Sequence, residues 1–211
     1  SPLPEGCMHQ SGYSDAHALT FGLQPLNLYG QSKHDFDVWA LKQTIQPQYW
    51  AGLKFFNVFG HNEVHKKSMA SVVLHAFNQI NKQGYVNLFR SHRSDVRDGE
   101  QSRDFVYVED VCSVMIDFME RMPENGIFNV GTGVNRTFKD LVIATFAALK
   151  LEPTIKYIDT PINIRKQYQY FTKGDISKLR HAGYTKEFQS LEDSVADYVQ
   201  NYLLKASNIA V

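Results

Sequence analysis

Trp50-Ala51-Gly52-Leu53-Lys54-Phe55-Phe56-Asn57-Val58-Phe59-Gly60 reads as a buried strand stopped by a glycine turn, with Asn57 at its exit. Upstream, Tyr29 and Lys33 have the i, i+4 spacing of one helix face. Downstream, Ser68 to Gln83 carries Met69, Val72, Val73, Phe77 and Ile80 at helical spacing and stops at Gly84. Helix, buried strand and helix in succession is the alternation of an α/β protein. It continues along the chain. Val86 to Phe89 is a short strand, Arg90 to Ser102 a polar loop, Phe105 to Val108 a strand, and Glu109-Asp110 opens a helix that runs through Met122. Ile127 to Val130 is another buried strand, closed by Gly131-Thr132-Gly133. Thr137 with Asp140 forms a capping box for a helix to about Lys150, and Ser190 with Asp193 a second box for a last helix to about Leu204. Asp110 reads as a helix N-cap and Asp104 as a partner for nearby backbone or an arginine, so neither is assigned catalytic work.

Composition narrows the classes. The 211 residues are enough to bury a sizeable core, and Lys plus Arg matches Asp plus Glu at 22 each. Such a balance supplies no field to recruit nucleic acid or an acidic membrane. Cys7 and Cys112 offer neither a disulfide framework nor metal-ligand spacing. No apolar run reaches the roughly 18 residues of a membrane span and no stretch resembles a signal peptide. A soluble cytoplasmic protein is expected, with no nucleic-acid, membrane or metal partner.

The chemistry starts at Asn27-Leu28-Tyr29-Gly30-Gln31-Ser32-Lys33. An ammonium one helical turn from a phenol stabilises the phenolate, giving a group that takes and returns a hydroxyl proton. Further on stand Glu63-Val64-His65-Lys66-Lys67-Ser68-Met69-Ala70-Ser71, Arg103-Asp104-Phe105-Val106-Tyr107-Val108-Glu109-Asp110-Val111, and Gly126 to Gly133.

This order of motifs resembles the extended short-chain dehydrogenase/reductase superfamily, in particular its sugar-nucleotide epimerases and dehydratases. His65 to Ser71 looks like the signature of the ADP-L-glycero-D-manno-heptose 6-epimerases, and Tyr168-Gln169-Tyr170-Phe171-Thr172 is similar to a segment near their substrate. The chain departs from that pattern at Gln167, where the family has Arg, and at Lys67, where many members have a small residue. The resemblance runs from about Leu23 to Leu203.

What the resemblance implies is specific. The fold would be the C-terminal part of a Rossmann-like doubly wound parallel sheet with an interleaved smaller α/β substrate domain. Residues 1–55, 105–133 and 175–189 would belong to the dinucleotide-binding domain, and 56–104, 134–174 and 190–211 to the substrate domain. The cofactor would be NADP, contacted by Tyr29, Lys33, Val58 and Lys66. Tyr29 and Lys66 would be the two proton-transfer groups, with Lys33 assisting Tyr29. Asn57, Ser68, His75, Phe89, Arg90, Ser91, His92, Arg103 and Tyr168 would bind an ADP-sugar. Arg90 and His92 replace an acidic-glycine pair common in the family, whereas Arg93 and Arg97 read as solvated loop residues.

The implied activity is epimerisation at C6 of the heptose in lipopolysaccharide-core precursor synthesis, by a homo-oligomer. Another nicotinamide-dependent nucleotide-sugar epimerase or dehydratase is the alternative within the class. A catalytically inactive sugar-nucleotide-binding fragment is the alternative outside it. Such enzymes open with a glycine-rich turn that holds the cofactor pyrophosphate, and this sequence contains none. That turn and the Ser or Thr partner of the tyrosine are expected upstream of Ser1, so this chain alone is expected to hold NADP weakly and to be inactive.

Overall fold

The computed structural model describes residues 28–165 and 168–209. Cys7, the segment from Ser1 to Thr20 and Gln167 lie outside the described residues. Helix α1 covers Leu28–Lys42, and strands β1 (Ala51–Phe55) and β2 (Asn57–Phe59) follow. A short 3₁₀ segment, Val64–Met69, precedes α2 (Val72–Gln83) and β3 (Val86–Phe89). Then come β4 (Ser102–Tyr107), α3 (Val108–Arg121), β5 (Gly126–Val130), β6 (Asn135–Thr137) and α4 (Phe138–Ala148). Strand β7 (Ile155–Ile158), α5 (Ile162–Arg165) and α6 (Ser177–His181) lead to α7 (Leu191–Asp197), a π-helical stretch Tyr198–Leu203 and α8 (Leu204–Ile209).

The run that reads as one strand is two. β1 pairs in parallel with β5, and β2 pairs in parallel with β4. Phe56 is the crossing point: its amide still donates to Val130 O while its carbonyl accepts from Val58 N. One continuous apolar run therefore changes partner, which also moves Asn57 from the strand exit to the start of β2. The exit proper is Gly60, where a Cβ would run into the Val108 side chain at a φ of +148°.

Parallel pairing also joins β3 to β7, and β6 adds to β4 antiparallel. Patterning does not announce these two partners. β6 is the polar triplet Asn135-Arg136-Thr137, held by its ladder to β4, and β7 is only four residues long.

Strand β4 divides the interior. All six of its residues are buried. Its side chains alternate between faces: Val106 joins Val111, Val114, Phe118, Phe128, Val130, Leu179 and Tyr184, while Phe105 and Tyr107 join the core formed with α2, α4, α7 and the π-helical stretch. A third cluster, with Ala76, Ile80, Val86, Leu88, Val142 and Phe146, fills the space between α2, β3 and α4.

Three local expectations are corrected. Helix α2 begins after Ser71, not at Ser68, because the Ser71 hydroxyl caps Leu74 N and the Glu63 carboxylate fixes Ser71 in place; Met69 is left 82% exposed. Asp110 is not a cap: α3 has no side-chain cap, and the buried Asp110 carboxylate accepts from Gln189 N instead. Ser190 caps Asp193 N but donates its own hydroxyl to the Asp193 carboxylate, so only half of the second box forms. The Thr137/Asp140 box is complete.

Candidate functional site

Asp104 organises the centre of the molecule. Its fully buried carboxylate accepts from Thr132 N at 2.7 Å, Thr132 Oγ1 at 2.8 Å, Gly133 N at 3.0 Å and Gly174 N at 3.0 Å. The turn after β5 and the segment before α6 are thereby tied to β4. A Cβ at Gly131 would stand 2.7 Å from Asp104 Oδ2, so the small residue is required for this approach. Asp104 is the backbone partner that the sequence suggests.

Its neighbour Arg103 serves another part of the fold. The buried guanidinium donates to Ser102 O at 2.8 Å and Gln169 O at 2.5 Å, and lies 5.8 Å from the Tyr168 ring centre and 5.3 Å from that of Phe138. Tyr168 stands edge-on to Phe89 at 6.1 Å and to Tyr170 at 5.6 Å. Burial raises the Tyr168 phenol above its ordinary range, which keeps it protonated as a donor.

In front of these rings opens a cavity of about 250 Å³ between α2 and β3. His75, Phe89 and Tyr168, expected on the substrate, all line it. Val72, Ala76, Gln79, Asn87, Gln101 and Phe138 line it too, and the motif comparison does not reach them. Spacing alone would find two of them: Gln79 is i+4 from His75 on α2, and Asn87 is two residues from Phe89 on β3.

The chain leaving β3 bends around one end of this cavity. Arg90 N donates to Ile158 O and Thr160 Oγ1 donates to Arg90 O, continuing the β3–β7 pairing. Ser91 N donates to Asp98 Oδ1, and His92 N to Tyr170 Oη. The Arg90 guanidinium is left half-exposed, 4.0 Å from Asp98. Arg93 pairs with Asp95 at 2.7 Å and Arg97 stays exposed, both as loop residues.

Residues Val64–Met69 form a presented loop. Its two ends are held by one buried side chain: the Glu63 carboxylate accepts from Ser71 N at 2.8 Å, Ser71 Oγ at 2.5 Å and Tyr198 Oη at 3.0 Å. Burial and the facing carboxylate push the Tyr198 phenol far above its usual range, so it remains a donor. Between those ends no residue is buried, and Lys67 takes φ 51° and ψ −118°, a region that favours glycine. His75 Nε2 meets Ser68 O at 3.3 Å, linking the loop to the cavity wall.

Tyr29 and Lys33 share one face of α1, with Lys33 Nζ 5.4 Å from the Tyr29 ring centre. Tyr29 is 65% exposed. These two residues, Lys66, Asn57 and Val58 do not line the cavity formed by His75, Phe89 and Tyr168. Asn57 is exposed at the start of β2, and Val58 packs partly into the cluster around Phe128. Among the described residues, no helix is long and apolar enough to cross a membrane.

Parallel strand pairs linked through helices define a Rossmann-type α/β protein. The chain belongs to the NAD dependent epimerase/dehydratase family, which matches residues 7–131. It is 51% identical over 189 residues to an ADP-L-glycero-D-manno-heptose-6-epimerase of Fusobacterium nucleatum, covering 87% of this chain and 57% of that protein. It is 48% identical over 195 residues to the enzyme of that name from Nitratidesulfovibrio vulgaris, covering 92% of this chain and 60% of the relative. The crystal structure of the Helicobacter pylori ADP-L-glycero-D-manno-heptose-6-epimerase superposes with a TM-score of 0.71 at 26% identity, over 90% of this chain and 58% of that one. UDP-glucose 4-epimerase from Thermus thermophilus, solved with NAD, shares the fold with a TM-score of 0.66 at 21% identity, over 94% of this chain and 60% of that one. The chain thus spans somewhat under two thirds of the length of these relatives.

Proposed function

We propose that this chain is the substrate-binding and proton-transfer part of an ADP-L-glycero-D-manno-heptose 6-epimerase that uses NADP and supplies lipopolysaccharide-core precursors in the cytoplasm as a homo-oligomer. One observation carries the reading: His75, Phe89 and Tyr168, singled out by motif from three distant stretches, line a single cavity backed by Arg103. Relatives of that name at 51% and 48% identity support it. The proposed domain division is supported by the cluster around Phe128 on the dinucleotide-binding side and the clusters around Leu141 and Ile80 on the substrate side, although Phe105 and Tyr107 of the first side pack into the Leu141 cluster and Val58 of the second into the Phe128 cluster.

A carbinol carbon with no adjacent carbonyl is too weak an acid to invert by proton abstraction. When bound, the nicotinamide supplies reversible hydride removal and return, leaving net redox at zero. Tyr29, Lys33, Val58 and Lys66 would hold its reactive end, a role supported by the exposed phenol and ammonium that share one face of α1. Tyr29 takes the hydroxyl proton on one side of the carbinol and Lys33 stabilises its phenolate. Lys66, on the loop pinned by Glu63, moves the proton on the opposite side. Asn57 and Ser68 hydrogen-bond the sugar, while Arg90, Ser91 and His92 serve the diphosphate side, where a guanidinium fork pairs with phosphate oxygens, and Arg103, whose guanidinium already donates to Ser102 O and Gln169 O, contributes by backing Tyr168.

The test uses a polypeptide of the relatives' full length that carries this sequence. Incubated with ADP-glycero-manno-heptose and NADP, it is expected to interconvert the two C6 epimers, followed by proton NMR. Preferential turnover of a uridine or thymidine diphosphate hexose would transfer the reading to another epimerase or dehydratase. Binding of ADP-sugar with no turnover of any would leave a binding module.

A further inference from the structure

The β3 strand places two kinds of side chain on alternating faces. All four residues line the cavity: Val86 and Leu88 are buried in the core and give it apolar wall, whereas Asn87 and Phe89 are half-buried and Asn87 brings the strand's one polar side chain to it. The backbone at Asn87 is clamped, because its amide donates to Gln79 Oε1 at 2.9 Å. The same oxygen also accepts from Gln83 Nε2, so the Gln79 carboxamide is fixed between helix and strand. The Asn87 side chain, by contrast, makes no hydrogen bond to any described residue. An amide held rigidly at its root, with both donor and acceptor uncommitted, faces a space walled by Phe89, Tyr168, Phe138 and the apolar residues of α2.

Such a space suits a flat heteroaromatic ring. Tyr168 and Phe89 offer ring edges and faces for stacking. A carboxamide presents a donor beside an acceptor, the complement of a base edge on which an amine lies next to a ring nitrogen. The polar chemistry of the cavity wall and its aromatic lining therefore point to the same ligand fragment. Resting on the nucleotide-sugar reading above, we propose that Asn87 is a specificity-determining residue that reads the amine-bearing edge of the adenine base, with Gln79 as its positioning residue.

The 211-residue chain is titrated by calorimetry with ADP and with purine riboside 5′-diphosphate, which lacks the exocyclic amine. The unaltered chain is expected to prefer ADP by about tenfold, the worth of one hydrogen bond to a buried partner. Asn87→Ala is expected to weaken ADP by about the same factor and to bind the two ligands equally. Asn87→Thr, which suits a strand, repeats the measurement should the alanine variant melt early. ADP affinity unchanged in a folded variant, or no preference for ADP in the unaltered chain, overturns the role of Asn87 and leaves the cavity as a nucleotide site. No binding of ADP by the unaltered chain overturns the nucleotide reading of the cavity and this proposal with it.

Discussion

Strand β4 and helix α1 are built on opposite terms. Every residue of β4 is buried, and its side chains reach two hydrophobic cores and the Asp104 hub. Helix α1 buries only Gly30 and His34 among its 15 residues and exposes Leu28, Tyr29, Phe36 and Trp39. The cavity is shaped by partly and fully buried residues of α2, β3 and the segments packed beside β4, whereas the proposed proton-transfer residues are exposed. The cavity's geometry is fixed by packing within the described chain, whereas Tyr29, Lys33 and Lys66 are presented on exposed surfaces.

The contrast is sharpest in the core. Phe128 is fully buried, edge-on to Phe118 at 4.9 Å, so Phe128→Ala is expected to lose about 3–5 kcal/mol of unfolding free energy in a denaturant titration. Phe36→Ala on α1, where the ring is 62% exposed, is expected to change it by less than about 0.5 kcal/mol. Comparable losses at the two positions would break the distinction.

Next comes the hub. Asp104→Ala strands the donors of Thr132, Gly133 and Gly174 inside the protein and is expected to cost about 3 kcal/mol or more, read by the same titration. A loss near zero would mean that water replaces the carboxylate and that β4 does not hold the Gly131–Gly133 turn.

Lys67 tests the presented loop with the opposite sign. Its φ of 51° with ψ of −118° is strained for a lysine, so Lys67→Gly is expected to stabilise the chain by about 1 kcal/mol and raise its melting temperature by about 2–4 °C. A fall in melting temperature would show that the lysine side chain contributes more than its backbone costs.

The smallest effect lies at the surface. The Arg136 guanidinium, 2.6 Å from Glu192, holds the Glu192 carboxyl below the usual carboxylate range. A depressed folded-state pKa contributes stability above the unfolded value and loses it as pH falls through the folded one. Arg136→Met, which removes the partner of both Glu192 and Asp140, is therefore expected to cost about 0.5 kcal/mol at neutral pH and nothing measurable once pH is well below about 4, because these ions are only partly buried. A penalty independent of pH would assign the arginine a packing role instead.

How much of this was legible follows the same division. The α/β alternation, the stretch of α2 from Val72, the stop at Gly84, the end of α3 to within a residue of Met122 and the Thr137/Asp140 box are local features that pattern and capping chemistry reveal. The partner change at Phe56 is not, since nothing in an unbroken apolar run records which strand lies beside it. Nor is β6, three polar residues made into a strand by β4. Asp110 misleads because an acidic residue in a first turn reads as a cap, whereas a tertiary partner, Gln189 N, takes its carboxylate. In the site, His75, Phe89 and Tyr168 were reachable by motif, while Gln101 and Phe138 enter the cavity wall only through tertiary packing.

Tyr29 carries the largest share of the proposed chemistry on an exposed face of α1, so its hydroxyl is the place to test epimerisation. In a polypeptide of the relatives' full length supplied with NADP and ADP-glycero-manno-heptose, Tyr29→Phe is expected to slow C6 epimer interconversion by about 10²–10⁴-fold while ADP affinity stays as it was. An undiminished rate in that variant would contradict the assignment of the phenol as a proton-transfer group.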